Sequence, residues 1–334
     1  FGDPADDRLR VWVFDRADDY VAFLADCGIE ASGTDGMFFD TAMRSGLSTW
    51  LGDRPVERIE QVLRHEGFHQ FAWRRIGRTL PPWAGEGLAE YFGEAIVIDG
   101  NLKTGQISAR RLRQVRSAVR AGRHVPFEQM LTLDPAAWAE TIAMADGRAA
   151  LLYDQAWSMA HFLINARPKL RQAFADYLAH LSHGATAREA FVRAFRTSDF
   201  DAFESRWRRY VLQLEADPIH TAIERLTFLA RGLRYLHSRG VRVESVDELQ
   251  VELRAAGFKV IHLAHEIPTV LSAFDDVMFE PPAHPEGEAT VLELAPGEGG
   301  HLPPRLVVRG LEMAVRLNWR VDRTGELRFD IALD

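Results

Sequence analysis

The chain has 334 residues, of which 47% are hydrophobic and 26% charged, and its formal net charge is −8. This length allows two domains, and the negative charge argues against nucleic acid as a partner, because phosphate binding needs a basic surface. The single cysteine, Cys27, excludes an intrachain disulfide and a thiolate zinc site, and we interpret it as a buried, inert thiol. No apolar stretch reaches the roughly 18 residues that span a bilayer, so no transmembrane segment is predicted.

The sequence leaves the compartment open. The chain starts at Phe1 without an initiator methionine or a charged-then-apolar leader, which indicates a processed or trimmed chain. An extracytoplasmic location in a bacterium is therefore compatible with the sequence. The oligomeric state is not predicted.

The predicted elements begin with a small sheet and two helices. Alternating apolar residues indicate strands, and Asp53 with Pro55 supply start signals for the second helix. In chain order the elements are a strand at Leu9–Phe14, a helix at Ala17–Cys27, strands at Gly36–Asp40 and Met43–Leu51, a helix to about Ile76 and another from Trp83 to about Phe92.

Helical patterns dominate the middle of the chain, and strands dominate its end. The predicted helices are Ser108–Ala121, Ala149–Ala166, Pro168–Leu181, Ala185–Phe195 and Asp199–Leu214. Residues 218–280 are predicted to be mostly helical, with a strand at Lys259–Leu263, and later strands are predicted at Ala289–Leu294, Arg305–Arg309, Leu311–Val321 and Glu326–Leu333. We predict an α+β fold with a catalytic domain over residues 1–216 and a smaller mixed, β-rich module of unknown role over residues 217–334.

The segment His65-Glu66-Gly67-Phe68-His69 matches the pattern H-E-x-x-H. Residues four apart lie on one face of a helix, so both imidazoles can reach one metal at about 2.0–2.1 Å. Glu66 then points to the space beside the metal, where it can take a proton from water. The alternative is a pair of packed core histidines.

The next helix offers the missing carboxylate. A catalytic zinc normally has three protein ligands, and Glu86 completes a set of two histidines and one glutamate. Glu90, one turn later, is placed to accept a hydrogen bond from a ligand histidine and so to fix its ring. Glu94 continues the row and competes for either role.

These residues carry a resemblance to a known family. His65-Glu66-x-x-His69 followed by Trp83-x-x-Glu86-Gly87-x-Ala89-Glu90-Tyr91 resembles the gluzincin zinc metallopeptidases, which include thermolysin and the zinc aminopeptidases. It is closest to bacterial gluzincin-like families of poorly defined function. The resemblance implies a thermolysin-like catalytic domain, one Zn²⁺ per chain on His65, His69 and Glu86, Glu66 as general base, Glu90 as partner of a ligand histidine, and a peptide or protein substrate.

A second stretch, Tyr153-Asp154-Gln155-Ala156-Trp157, is similar to the helix whose first tyrosine stabilises the oxyanion in aminopeptidase-like gluzincins. The resemblance thus implies a catalytic Tyr153, and the alternative is an aromatic residue packed in the core. The aminopeptidase branch also carries a Gly-x-Met-Glu-Asn strand before the zinc helix. Residues 36–45 lack its glutamate, so aminopeptidase specificity does not follow.

The predicted function is zinc-dependent peptide hydrolysis. Two alternatives stay open: a zinc-binding protein without activity, and a zinc hydrolase that cleaves another kind of bond. Other features receive structural interpretations. His161 is interpreted as a core histidine, the pattern His262-x-x-His265-Glu266 as a solvated or structural pair, and Arg110, Arg111, Arg113, Arg116 and Arg120 as the solvated face of a helix.

Overall fold

The computed structural model describes residues 10–334 except 53, 55, 78, 79, 99, 145–147, 265, 266, 285, 286, 288, 298–300, 323 and 324, and for residues 262–264 and 267–269 it describes the backbone alone. The described part is mixed α/β, as predicted, and contains 12 α-helices. It forms two compact units: the described part of Phe1–Gly52 with Glu60–Glu215, and that of Asp53–Ile59 with Ala216–Asp334. The sequence had assigned the segment 53–59 to the first domain.

The first unit begins with a three-stranded sheet of β1 (Val11–Phe14), β2 (Gly36–Asp40) and β3 (Ser45–Trp50), in the order β1-β3-β2. β1 runs parallel to β3 and β2 antiparallel, so β2 is an edge strand. Helix α1 (Ala17–Asp26) buries Tyr20 and Leu24 in one apolar cluster with Phe39 of β2. Leu9, the predicted first strand residue, lies outside the described residues.

The rest of the first unit is mainly helical. Its elements are α2 (Val56–Arg75) from Glu60 onward, α3 (Pro82–Gly93), the hairpin β4 (Ile96–Ile98) and β5 (Asn101–Lys103), α4 (Ala109–Arg120), α5 (Phe127–Thr132), α6 (Pro135–Ala143), α7 (Arg148–Asn165), α8 (Pro168–Ser182), α9 (Ala187–Phe195) and α10 (Phe200–Gln213). The prediction missed β4, β5, α5 and α6, because elements of three to nine residues carry little periodicity. The start signals Asp53 and Pro55 lie outside the described residues.

Close packing of α3 on α7 positions the site. A Cβ added to Gly87 of α3 would lie 2.4 Å from the carbonyl oxygen of Ala156 on α7. Only a residue without a side chain allows the two backbones to approach so closely. Gly87 therefore brings the helix that carries Glu86 and Glu90 against the helix that carries Tyr153.

The second unit is β-rich, as predicted. It contains α11 (Pro218–His237), α12 (Val246–Ala255), the hairpin β6 (Lys259–Ala264) and β7 (Ile267–Ser272), and an antiparallel sheet in the order β11-β10-β9-β8, formed by Leu327–Leu333, Val315–Val321, Arg305–Arg309 and Val291–Ala295. Glu57 joins this unit through the N–H of Ile331, which donates to its carboxylate at 2.7 Å.

Two further predictions concern membrane-spanning helices and the single cysteine. No helix in the described ranges is long and apolar enough to cross a membrane. Cys27 is a free, buried thiol, 8% exposed. The discounted His265 and Glu266 lie outside the described residues.

Candidate metal centre

Helices α2 and α3 bring three donor atoms together. His65 Nε2 and His69 Nε2, one turn apart on α2, are separated by 3.2 Å. Glu86 Oε2 from α3 lies 3.5 Å from each of these nitrogens. The three predicted ligands therefore form a nearly equilateral triangle of two nitrogens and one oxygen, and among the described residues they are the group that could hold a metal ion.

The size and chemistry of this triangle fit a tetrahedral metal. Ligands at about 2.0–2.1 Å from a tetrahedral zinc lie about 3.3 Å from one another, which falls between the observed separations of 3.2 and 3.5 Å. Two imidazoles and one carboxylate are a usual donor set for catalytic zinc, and imidazole also suits other divalent transition metals. Three protein donors leave a fourth position for water or substrate.

The three donors interact electrostatically in the absence of a cation. Burial lowers the pKa of His69, but the charge and hydrogen bond of Glu86 and the charges of Glu66 and Glu90 outweigh it and raise the pKa to about 9. Burial raises the pKa of Glu86, but the two histidines outweigh it and hold the pKa well below its ordinary value. The pocket thus favours positive charge at the position where the donors meet.

Glu66 is held by the neighbouring sheet. Its Oε2 accepts a hydrogen bond of 2.7 Å from the backbone N–H of Phe38 on β2. This N–H points away from β3, because β2 is the edge strand and its free side faces α2 at this position. The predicted base is therefore anchored through Oε2 by a strand of the sheet. The sequence signal for Phe38 is weak, since a backbone donor leaves no mark on residue type.

Glu90 approaches the ligand His65 from its other ring nitrogen. Glu90 is 2% exposed, and its Oε1 lies 3.8 Å from His65 Nδ1. This separation is an ion-pair distance and exceeds that of a hydrogen bond. Glu90 thus lies on the predicted side of His65, but the distance is longer than the predicted hydrogen bond requires. Glu94, the predicted competitor, follows the end of α3 and lies outside the donor triangle.

Arg111 on α4 contradicts the prediction of a solvated arginine face at its own position, whereas Arg113 and Arg120 are exposed as predicted. It is 4% exposed and its guanidinium contacts three carboxylates: Glu94 by Nε at 2.5 Å, Asp154 by Nη1 at 2.7 Å, and Glu90 by Nη2. Burial lowers the pKa of Arg111, but the three carboxylates raise it by more than burial lowers it. The pKa therefore lies above its ordinary value and Arg111 stays charged. A periodic signal was present: Arg111 precedes Val115 and Ala118 at steps of four and three and shares their buried stripe.

Asp154 is the second residue that the sequence interpretation missed. It sits beside Tyr153 in α7, a helix whose residues 152–163 are all buried. Burial raises the pKa of Asp154, Arg110 and Arg111 oppose this, and the charge of Glu90 adds to it. An aspartate in a wholly buried stretch was the available signal, because such a carboxylate needs a partner.

Tyr153 lies among the acidic groups of the site. It is 8% exposed, and its ring meets that of Trp138 edge-on at 5.4 Å between centroids. Burial raises its pKa well above the ordinary value, and the charges of Glu86, Glu90 and Glu66 add to this. The hydroxyl therefore keeps its proton, so it can act as a hydrogen-bond donor.

His161 is buried and has partners on both ring nitrogens. Nδ1 lies 2.8 Å from the hydroxyl of Tyr210, and Nε2 lies 3.1 Å from the carbonyl oxygen of Gly105. These contacts agree with the interpretation as a core histidine.

Comparisons with known proteins assign no activity to this arrangement. Residues 60–186 match a family described as "Protein of unknown function (DUF1570)". The matched stretch runs from α2 to the residue before α9 and contains every site residue above except Phe38. No curated protein matches the chain, and no solved structure matches it.

Proposed function

We propose that this chain is a zinc-dependent peptidase, with the metal held by His65, His69 and Glu86. The observation that carries the proposal is the donor triangle, with sides of 3.2, 3.5 and 3.5 Å. Beside it on α2, Glu66 is not a ligand and is held by the backbone N–H of Phe38. A bound zinc would supply Lewis acidity, which polarises a carbonyl and makes water acidic near neutral pH. A purely structural zinc site normally has four protein ligands and needs no base.

Glu66 would carry the proton. The N–H of Phe38 binds Oε2 and fixes the rotation of the carboxylate, so that Oε1 is free to accept a proton from the attacking water. The same carboxyl group would then deliver that proton to the leaving amine nitrogen. The charge of Glu66 acts on both His69 and Tyr153, which supports its placement between the ligands and the hydroxyl.

Tyr153 would donate a hydrogen bond to the scissile carbonyl oxygen as that oxygen gains negative charge. Its raised pKa keeps the phenol protonated, and Trp138 limits the movement of the ring. A positioned donor of this kind contributes roughly 3–4 kcal/mol to lowering the barrier.

The edge strand beside the base supports a peptide as substrate. β2 ends its sheet, and an extended peptide can add to such an edge through main-chain groups other than the N–H of Phe38, which Glu66 already binds. We therefore expect an extended chain to be bound next to Glu66. The strand lacks the glutamate that grips a free amine in zinc aminopeptidases, so an endopeptidase is equally compatible.

The test compares wild type with Glu66→Gln. We expect one zinc per chain in both proteins by elemental analysis, because Glu66 is not a ligand. Cleavage of a mixed peptide library, followed by mass spectrometry, should fall by about 10²–10⁴-fold in Glu66→Gln. Glu60→Gln is the matched control: Glu60 lies on the same helix, half-exposed, and pairs with Arg64 at 3.3 Å.

Each other outcome selects an alternative. Bound zinc without peptide cleavage by wild type would favour a zinc-binding protein without activity or a hydrolase of another bond, and a panel of esters and epoxides separates these two. Equal cleavage by wild type and Glu66→Gln would remove Glu66 as the base. Absence of zinc from wild type would overturn the proposal.

A further inference from the structure

We infer that Arg111 is a positioning residue for the metal centre, which acts through Glu90 on the ligand His65. The inference rests on the proposed metal site and extends it to a residue on α4, away from both metal-binding helices. Arg111 touches none of the three donors; its guanidinium binds Glu90, and Glu90 faces His65 Nδ1 at 3.8 Å.

The two oxygens of Glu90 have separate partners. Oε2 is bound by Arg111 Nη2, and Oε1 is the atom that faces His65. A guanidinium is planar and rigid, so its contact fixes both the position and the rotation of the carboxylate. The contact with Arg111 therefore helps to hold Oε1 toward the ligand.

Arg111 is itself held from two further sides. Glu94, just beyond α3, accepts from Nε at 2.5 Å, and Asp154 on α7 accepts from Nη1 at 2.7 Å. Gln61 on α2 also donates to Glu94, at 3.3 Å. The guanidinium thus joins the helix of the base, the helix of Glu86 and the helix of Tyr153 in one buried cluster, which gives it no freedom to follow a displaced Glu90.

Stability alone is a weak explanation of this cluster. Moving charges out of water costs several kcal/mol per ion, and apolar side chains of similar volume are often equally stable or more stable. Three carboxylates also exceed the single charge of Arg111, and Arg110 reaches Asp154 at 3.6 Å with a side chain that is 24% exposed. Of the three carboxylates, Glu90 is the one that also faces a ligand histidine.

The experiment uses cobalt(II) as the probe, because its absorption bands report the geometry of the ligands and its affinity is measured without substrate. Outer partners of ligand histidines change metal affinity by about 10–100-fold. We expect Arg111→Met and Glu90→Gln each to weaken cobalt binding in this range and to alter the visible spectrum. The double variant should be no weaker than the weaker single variant, since both changes remove the same contact.

Two further variants make the result specific. Arg111→Lys keeps the charge but cannot bind three carboxylates as a fork, so we expect an altered spectrum and an intermediate affinity. Arg116→Met is the matched control: Arg116 lies on the same helix and donates to the carbonyl oxygen of Val211 at 3.1 Å. We expect wild-type affinity and spectrum. Circular dichroism of the metal-free proteins identifies variants that do not fold, and Arg111→Lys decides the question if Arg111→Met is among them.

The outcomes separate this inference from the proposed function. Wild-type affinity and spectrum in the folded Arg111 variants would overturn the inference and leave the metal site intact. Multiplied losses in the double variant would also overturn it, since Arg111 would then act independently of Glu90. A wild-type protein that binds no cobalt would overturn the metal site and the inference with it.

Discussion

The two compact units differ in what they bury. In the second unit, α11 packs on the four-stranded sheet through a core of aliphatic and aromatic residues, among them Leu229, Leu233 and Leu317. Its buried polar residues, among those described, are His220 and Thr221. In the first unit, Glu90, Glu94, Arg111 and Asp154 are all at most 4% exposed. Every buried aspartate, glutamate and arginine in the described ranges thus belongs to one cluster in one unit.

This difference separates two reasons for burial. An apolar core lowers the free energy of the fold by removing surface from water, and the core of the second unit follows that rule apart from His220 and Thr221. A buried charge cluster gains little stability, because the cost of desolvation offsets the attraction between the charges. The first unit keeps such a cluster beside three donor atoms, which is the arrangement expected where charge serves binding or chemistry.

The largest effect is expected from a cavity in the apolar core. Leu229 is fully buried, so Leu229→Ala should lower the free energy of unfolding by about 2–5 kcal/mol, measured by urea denaturation. Cobalt affinity of the folded protein should stay unchanged. Val251→Ala on α12, where the side chain is 62% exposed, is the control and should change stability by less than about 0.5 kcal/mol. Reduced cobalt affinity in folded Leu229→Ala would contradict the view that this core contributes to stability alone and not to metal binding.

A smaller effect is expected where α3 meets α7. Gly87→Ala would place a methyl group 2.4 Å from the carbonyl oxygen of Ala156, so the two helices must separate. We expect a loss of about 1–3 kcal/mol in stability and weaker cobalt binding, since Glu86 adjoins the substitution.

Gly67→Ala is the matched control on α2. An added Cβ there meets nothing within 4 Å, so better helix propensity should raise stability by about 0.5–1 kcal/mol. Thermal unfolding of both variants tests the contrast. Equal effects of the two substitutions would show that close approach at Gly87 is not needed.

The smallest effect concerns pH and the buried His161. Burial lowers its pKa below 6.5, only partly opposed by the bond to Gly105. The unfolded chain therefore binds a proton at higher pH than the folded protein, and stability falls as pH drops below 6.5. His161→Phe should lose stability at pH 7.5, and its deficit against wild type should shrink by at most about 1.4 kcal/mol between pH 6.5 and 5.5. Denaturation curves at both pH values measure this deficit. A deficit that does not change with pH would contradict a lowered pKa of His161 in the folded protein.

Local rules account for the parts of the site that the sequence predicted. The spacing of His65 and His69 places both imidazoles on one face of α2, because a helix turns once in about 3.6 residues. The helix of Glu86 follows from Pro82 at its start and the apolar residues that come after it. The α+β class and the β-rich end follow from the long periodic segments in the same way.

Short elements and long-range contacts were beyond these rules. The hairpin of β4 and β5 has three residues in each strand, too few for an alternation to be recognised. β7 was missed because residues 218–280 were interpreted as mostly helical. Asp53–Ile59 group with the second unit, where Glu57 meets Ile331, a residue 274 positions away in the chain.

The sequence by itself determined which residues are the candidate ligands and the candidate base, since these depend on residue type and on spacing along one or two helices. The tertiary structure decided which charges are buried and what they touch. Arg111 is charged like its neighbours on α4, and only the convergence of α3, α4 and α7 surrounds it with three carboxylates. The physical reason is that burial of a charge depends on partners from distant segments, whereas the periodicity of a helix depends on its own residues alone.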